Sequence, residues 1–243
     1  MPYAAVNLSQ LNKICESIVS NGFVSITKHN ISIDQITKLY LDWEKFFSGS
    51  DKYSYTPLNC NRFQGLYKTT ELNKLLYESF FLNELVAPMM SHQQLFADTC
   101  DFKKKLHKIG EAILKQFQQY LGLSTFCNMI SANQSSIKII HYPPLIKPDD
   151  LTLVRNYPHE DRDVMTLLPI SGSMQGLQFL VNGQWVEPEY KVGDIIVNVG
   201  TAVTLLSSGL IKAATHQVRS PRLDELGKAR YSMAYFIAKK PEG

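Results

Sequence analysis

The half of the chain that follows Asn128 is a series of short apolar runs separated by turn residues. Two of these runs flank Asn182-Gly183, the strongest two-residue signal for a tight β-hairpin. Short strands joined by turns in this way are typical of an antiparallel β-sandwich or jelly roll. The candidate strands cover 137–142, 151–157, 164–170, 177–181, 184–186, 195–199, 214–219 and 231–238.

The half of the chain before Asn128 has helical spacing instead. Apolar residues recur every three or four positions over 8–19, 33–47 and 91–121, which predicts an amphipathic helix in each segment. A short strand is expected at 23–26, and the polar, aromatic stretch 48–70 is expected to be an ordered loop. We therefore expect a single domain over 1–243, with a helical N-terminal support at 1–130 and a β-roll core at 131–243.

The composition fits a globular protein without a nucleic-acid partner. A hydrophobic fraction of 44% over 243 residues is ample for a buried core. Lys and Arg number 25 against 22 Asp and Glu, and a net charge of +3 is too small to favour nucleic-acid binding. The four Cys have no C-x-x-C spacing and are expected to be thiols in a reducing compartment. We see neither a secretion signal nor an apolar run long enough to cross a bilayer, so we expect a cytoplasmic protein with no membrane partner.

One short segment, His159-Glu160-Asp161, has the spacing of a metal site. Side chains on an extended backbone alternate between faces, so His159 and Asp161 point the same way. Two His and one carboxylate form a facial triad, which leaves coordination positions open and suits non-haem Fe(II). The alternative is a charged corner, in which Asp161, Arg162 and Asp163 simply face water.

Two later positions can complete such a site. His216 lies within a predicted strand, far enough along the chain for a run of strands to return beside the first. Arg230 and Ser232 share a face of the last predicted strand, where a guanidinium beside a hydroxyl can hold a carboxylate. Taken alone, His216 fits a buried core residue equally well, and Arg230 fits an exposed residue at a strand end.

The order H-x-D, then a distant His, then R-x-S resembles the isopenicillin N synthase-like family of Fe(II)- and 2-oxoglutarate-dependent oxygenases. The resemblance covers most of the chain and is densest from Tyr142 onward. It implies a mostly β fold, a double-stranded β-helix (jelly roll, cupin-like) with a helical N-terminal support. The similar segments around the motifs are MTLL at 165–168, GLQ at 176–178, GQW at 183–185, VNVG at 197–200, THQV at 215–218 and RYSM at 230–233.

This resemblance also implies a role for each candidate residue. The implied Fe(II) ligands are His159, Asp161 and His216. The implied contacts of 2-oxoglutarate are Arg230, Ser232 and Tyr142, the last matching the family's tyrosine before a proline. Phe236 matches a residue that often lines the substrate pocket, although a Phe in a strand is more often plain core.

At three positions the chain departs from the family's pattern. Ile140 stands where plant members often have a polar residue in contact with the co-substrate. Thr201 replaces the Asp that follows Asn-x-Gly, and Gln217 replaces the Arg that usually follows the distal His.

The implied function is that of a dioxygenase, which hydroxylates or desaturates a small molecule with O2 and converts 2-oxoglutarate to succinate and CO2. One alternative is an iron-dependent oxidase of the ring-forming type that does not use 2-oxoglutarate, in which Arg230 and Ser232 hold a carboxylate of the substrate itself. Succinate formation separates these two. Another alternative is a non-catalytic roll that binds a small acid, against which the intact triad argues. The substrate is not readable from these motifs, because it is set by loops such as 48–70.

Overall fold

The computed structural model describes residues 3–55, 65–71, 74–82, 92–122, 128, 130–147, 151–172 and 176–240. Its helices are α1 (Leu11–Asn21), α2 (Ile33–Ser48), α3 (Gln93–Leu121) and α4 (Thr201–Leu206), with 3-10 turns at Asp51–Tyr55 and Leu223–Glu225. Its strands are β1 (Val6–Asn7), β2 (Phe23–Thr27), β3 (Gly65–Glu71), β4 (Lys74–Leu82), β5 (Ile130–Tyr142), β6 (Asn156–His159), β7 (Met165–Pro169), β8 (Leu177–Val181), β9 (Gln184–Val186), β10 (Ile195–Val199), β11 (His216–Val218) and β12 (Arg230–Lys239).

Two sheets form the body of the protein. The large sheet has eight strands in the order β1-β2-β10-β7-β12-β5-β4-β3, and the small sheet has four in the order β6-β11-β8-β9. All neighbours are antiparallel except β1 and β2. Phe23 of the large sheet stacks on Phe179 of the small sheet with ring centroids 4.1 Å apart, and Leu168 and Leu177 share their apolar cluster. The sheets therefore face each other, and the predicted double-stranded β-helix is confirmed.

Strand alternation divides the large sheet into two faces. On β5, Ile137 and Ile139 lie in the main apolar cluster with the helices. Ile140 and Tyr142 instead lie beside Val218 of the small sheet. We call the side of the large sheet that faces the small sheet the inner face, and it carries most of the candidate site residues.

Helices α1, α2 and α3 cover the opposite face. Trp43 of α2 is fully buried, and its indole N–H donates to Thr99 Oγ1 of α3 at 3.0 Å. Removing a buried aromatic side chain of this size costs about 3–5 kcal/mol. No helix in the described ranges is long and apolar enough to cross a bilayer. The rings around Trp43 belong to Phe46, Phe47, Phe80 and Phe96.

Two expectations for particular segments were wrong. The stretch 48–70 is not a loop throughout, because it contains the turn Asp51–Tyr55 and most of β3, while 56–64 lie outside the described residues. Its polar character reflects the position of β3 at the edge of the large sheet. The strand expected at 151–157 begins only at Asn156, because Arg155 turns inward and donates to the carbonyls of Leu76 and Pro143 at 2.7 and 2.9 Å.

Candidate metal centre

His159 and His216 are directly opposite each other on paired strands. His159 ends β6, His216 begins β11, and their imidazole centroids are 4.3 Å apart. Asp161 follows two residues after β6, with its Oδ1 3.9 Å from His159 Nε2 and 3.8 Å from His216 Nε2. One ligand atom from each residue lies within 4.8 Å of the other two. Among the described residues, this is the one group of three or more His, Cys, Asp or Glu side chains placed to hold a metal ion.

Main-chain carbonyls fix which nitrogen of each imidazole can bind a metal. His159 Nδ1 lies 2.7 Å from the carbonyl oxygen of Tyr157, and His216 Nδ1 lies 3.0 Å from that of Ala214. Because a carbonyl only accepts, each Nδ1 carries a proton and each Nε2 offers a lone pair. Hydrogen bonds of this kind also orient imidazole rings that bind metals.

The two carboxylate oxygens of Asp161 have different surroundings. Oδ2 accepts from Thr166 Oγ1 at 2.5 Å and from Asn198 Nδ2 at 3.0 Å. Oδ1 faces the two Nε2 atoms, which offer lone pairs and no protons. A buried carboxylate beside two lone pairs is unfavourable unless a cation lies among them. The three side chains therefore fit a divalent metal with nitrogen and oxygen ligands.

The loop that carries Asp161 packs on Gly200 with no space for a side chain. A Cβ at Gly200 would lie 2.3 Å from the carbonyl oxygen of Asp163 and 2.6 Å from that of Asp161. The Thr201 N–H donates to the same Asp161 carbonyl at 2.8 Å. Backbone atoms cannot move aside as the end of a flexible side chain can, so this close approach requires glycine. The segment Asn198–Thr201 thus supports Asp161 through one side chain and through its main chain.

Burial shifts three pKa values around the centre. Burial, followed by the charge of nearby His216, lowers the pKa of His159, which favours the neutral imidazole that metals require. Burial and the charge of Asp161 raise the pKa of Asp163 to about 6. On the inner face of β5, burial lowers the pKa of Lys138 to about 8, against the opposing effect of Asp161.

A cavity of about 120 Å³ opens on the inner face between β5, β11 and β12, lined in part by Tyr142, Val218 and Arg230. The guanidinium carbon of Arg230 lies 4.7 Å from the centroid of the Tyr142 ring. Burial raises the pKa of Tyr142, so its hydroxyl is protonated at neutral pH and can donate a hydrogen bond. Ser232 is buried two residues further along the same face of β12. These groups suit a small carboxylate.

Ion pairs hold the wall of this cavity. Arg219 pairs with Glu225 through two N–O contacts of 2.8 Å, and its Nε donates to Glu187 at 2.9 Å. The charge of Arg219 is therefore neutralised within the wall. Arg155 and Arg230 supply the positive charge beside Tyr142, since the guanidinium carbon of Arg155 is 5.5 Å from that ring.

The last predicted site residue, Phe236, is also on the inner face. It is opposite Ser136 of β5 and Thr166 of β7 in the sheet register. It is half-buried against the apolar cluster between the two sheets. Its neighbour Thr166 donates a hydrogen bond to Asp161, so Phe236 lies next to a residue that supports the candidate centre.

Sequence reasoning missed several supporting residues. Thr166 and Asn198 lay inside segments similar to the family, but nothing in their spacing indicated that they hold Asp161. No sequence signal marked Arg155 as a residue of the cavity wall. Gln217 stands where the family usually has Arg, and its Nε2 donates to Gln178 Oε1 at 2.9 Å. The cavity wall instead carries Arg219 two residues later.

The model of one protein family, the 2OG-Fe(II) oxygenase superfamily, matches residues 128–239, which contain all three candidate metal ligands. Over this half of the chain, the protein resembles the members of this superfamily. The resemblance inferred from the motifs is thereby confirmed. Fe(II) and 2-oxoglutarate are the metal and the co-substrate of these oxygenases.

Proteins similar to this chain include plant enzymes. Gibberellin 20 oxidase 2 of Arabidopsis thaliana is 28% identical over 252 residues, which cover 94% of this chain and 64% of that protein. The chain thus spans less than two thirds of that relative. A solved structure from Shewanella oneidensis has a TM-score of 0.87 at 21% identity, over 98% of this chain and 91% of that one. A full-length Neurospora crassa protein, solved in complex with alpha-KG, has a TM-score of 0.84 at 18% identity. The match covers 99% of this chain and 86% of that one. These two likenesses establish the fold.

Proposed function

We propose that this oxygenase hydroxylates or desaturates a small-molecule substrate with O2, while 2-oxoglutarate is converted to succinate and CO2. The proposed iron ligands are His159, Asp161 and His216. The proposed contacts of 2-oxoglutarate are Arg230, Ser232 and Tyr142, and Phe236 is proposed to line the substrate pocket. The observation that carries the proposal is the convergence of three ligand atoms between the two sheets, with an Arg-lined cavity on the same inner face.

Bound Fe(II), together with O2 and 2-oxoglutarate, supplies the oxidising chemistry of the superfamily. The contribution of the chain is to place the reactants and to exclude water. Three protein ligands on one face of a metal leave the remaining positions to small molecules. The Nδ1 bonds of both His and the two donors on Asp161 Oδ2 hold the ligand atoms in position before a metal binds.

Arg230 supports the assignment of the co-substrate site. A guanidinium binds a carboxylate through two parallel charge-assisted hydrogen bonds, which are stronger than neutral ones. The burial of Tyr142 and Ser232 beside Arg230 lowers the local dielectric and strengthens such a pair. The Tyr142 hydroxyl, kept protonated by its raised pKa, adds a neutral donor.

The test of this assignment is Arg230→Lys, which keeps the charge but removes the planar fork. We expect the concentration of 2-oxoglutarate that half-saturates succinate formation to rise by about tenfold or more, since ~1.4 kcal/mol corresponds to a factor of ten. Iron binding is expected to stay at the parental level, because Arg230 is not a proposed ligand. The assay measures slow background turnover with Fe(II), O2 and 2-oxoglutarate, and needs no primary substrate.

Arg222→Lys is the matched control. The Arg222 guanidinium is exposed and does not line the cavity. Its partner at 3.0 Å, Glu187, keeps the hydrogen bond from Arg219 when Arg222 is replaced, so 2-oxoglutarate use is expected to stay unchanged. An iron-loaded parent that neither binds 2-oxoglutarate nor forms succinate would contradict the proposal. In that event Arg230 and Ser232 serve another carboxylate, and the ring-forming oxidase or the non-catalytic acid-binding roll takes its place.

We also propose that the chain works as one domain in the cytoplasm, with O2 and a small-molecule substrate as partners and without nucleic acid or membrane. The helices and both sheets share continuous apolar clusters, which supports a single domain. Cys15 and Cys100 are thiols, which supports a reducing compartment, while Cys60 and Cys127 lie outside the described residues.

A further inference from the structure

Lys138 is a cation on the inner face that lacks an anionic partner. Within the part of the chain that the structure describes, it makes no hydrogen bond and has no carboxylate within 4.0 Å. Its Nζ lies instead over two aromatic rings, 5.0 Å from the centroid of Tyr77 and 5.2 Å from that of Phe81. Aromatic faces compensate a buried cation only in part.

The register of the large sheet places Lys138 on the metal side of the roll. It is opposite Phe81 of β4 and Ala234 of β12, and Ala234 is two residues from Phe236 on the same face. The charge of Lys138 contributes to lowering the pKa of His159, and the charge of Asp161 acts on Lys138 in return. Lys138 therefore lies within electrostatic range of the candidate centre.

Lys138 is separate from the proposed co-substrate site. Tyr142, which contacts Arg230, is four residues further along β5, or roughly 13 Å at the rise of an extended strand. The inner face thus presents two cationic positions, one at each end of the same stretch of β5. Arg230 lines the cavity, and Lys138 lies over the rings of Tyr77 and Phe81.

The surroundings of Lys138 are suited to an apolar body with a charged end. Tyr67 packs edge-on against Phe81 with centroids 5.5 Å apart, so three half-buried rings of β3 and β4 line this part of the sheet. Burial disfavours the ammonium form, and it lowers the pKa of Lys138 to about 8. The side chain remains mostly cationic at neutral pH, and a bound anion would offset the cost of burying it.

We propose that Lys138 binds a carboxylate of the primary substrate, whose apolar part packs against Tyr77, Phe81 and Phe236. This inference rests on the proposed function and narrows the substrate to the class of small apolar monocarboxylates. Lys138 acts as a residue that determines specificity: it holds one end of the substrate while the other lies near the candidate metal centre.

The test uses probe acids and their neutral isosteres. Protein loaded with Fe(II) and saturating 2-oxoglutarate without O2 is titrated with phenylacetate, 3-phenylpropionate and 4-phenylbutyrate, and with the corresponding primary amides, by calorimetry or ligand-observed NMR. Saturating 2-oxoglutarate occupies the proposed Arg230 site, so the probes do not report on binding there. We expect at least one acid to bind about tenfold more tightly than its amide in the parent protein. We expect Lys138→Met to remove this preference and Lys138→Arg to retain most of it.

Lys68→Met is the matched control, because Lys68 Nζ also lies over a ring, 4.3 Å from the centroid of Tyr53, but on an exposed part of β3. It is expected to keep the parental preference for acids. Binding of Fe(II) and 2-oxoglutarate to Lys138→Met, measured on the same samples, is expected to be parental, which shows that the variant is folded.

Two results overturn the inference. The first is that the parent protein binds no acid more tightly than the corresponding amide, which includes the case in which it binds neither acids nor amides. The other is a preference that persists in Lys138→Met. Failure of the parent to bind Fe(II) or 2-oxoglutarate is a separate observation and counts against the proposed function. In that case the acids and amides are compared again without Fe(II) and 2-oxoglutarate, and the same two results would overturn the role of Lys138.

Discussion

Asp161 depends on two residues that bind no metal themselves, Thr166 and Asn198. Thr166→Val removes one donor to Oδ2 and leaves a side chain of similar shape. We expect Fe(II) affinity to fall by about tenfold to a hundredfold, as is typical when a residue that orients a metal ligand is replaced. An anaerobic Fe(II) titration measures this effect.

Thr70→Val controls for the loss of a hydroxyl from a strand, because Thr70 is exposed on β3. Its Fe(II) affinity is expected to equal that of the parent. If Thr166→Val also binds Fe(II) as tightly as the parent, then the amide of Asn198 alone positions Asp161 and the hydroxyl has no role in the centre.

At this scale the sequence predicted the side chains of the centre and missed their supports. His159 and Asp161 were predictable because two residues apart on an extended chain share a face. His216 and Arg230 were predicted from the order of motifs in the family, and the role of Arg230 stays a prediction. Thr166 was not, because a hydroxyl in an apolar strand gives no periodic signal, and its partner is known only when β7 lies beside the Asp161 loop.

Among the structural elements, β4 and β5 are linked to the turn Asp51–Tyr55 by a buried charge cluster. Lys52 Nζ lies 2.6 Å from Glu78 Oε1, and His141 Nδ1 lies 2.8 Å from the same oxygen. Burial by itself would raise the pKa of Glu78, but hydrogen bonds from His141 and Lys52 outweigh it and lower that pKa. The carboxylate of Glu78 therefore stabilises the fold in its ionised form.

The sign of the pH dependence follows from this lowered pKa. The contribution of Glu78 is fully present above the ordinary carboxyl value of 4.5 and is lost as the pH falls through its folded value. Glu78→Gln is expected to lower the free energy of unfolding by about 3 kcal/mol or more at pH 7, because it leaves Lys52 buried without its carboxylate. The difference is expected to narrow at a pH well below 4.5, because the parent Glu78 becomes protonated as the pH falls through its lowered folded pKa.

Urea unfolding at the two pH values measures this difference, with Glu189→Gln as the control on an exposed carboxylate. A gap between parent and Glu78→Gln that is the same at both pH values would show that the carboxylate charge contributes nothing and that only the shape of the side chain matters.

Elements with strong periodicity were the ones that the sequence predicted. The three long helices and the hairpin at Asn182-Gly183 are present with small shifts at their ends. The strands β3 and β4 were not predicted as a pair, because a polar edge strand lacks the apolar alternation of a buried one. Their inner-face residues Tyr77 and Phe81, which surround Lys138, were consequently missed as well.

For the molecule as a whole, the two Trp residues report on different parts. Trp43 is buried in the helical layer, and Trp185 is on β9 of the small sheet. If the chain is one cooperative domain, the fluorescence of either residue follows the same unfolding transition as the circular dichroism. We expect coincident urea midpoints for the two probes in Trp185→Phe, which retains Trp43, and likewise in Trp43→Phe, which retains Trp185.

The fluorescence midpoint is compared with the circular dichroism midpoint of the same variant. The loss of stability expected in Trp43→Phe therefore does not affect the comparison. A fluorescence midpoint that differs from the circular dichroism midpoint in either variant would show that the helical layer and the small sheet unfold independently, against the proposal of one domain.

The position of β12 has a consequence for the order in which the protein folds. This strand comes after all the others along the chain, yet it lies in the middle of the large sheet between β7 and β5. Until it inserts, β7 and β5 each expose an open edge, and open edges pair readily with other chains. Contacts between segments so distant in sequence also form slowly. We therefore expect the chain to self-associate more readily before β12 has inserted than after, which lowers the yield of refolding at high protein concentration.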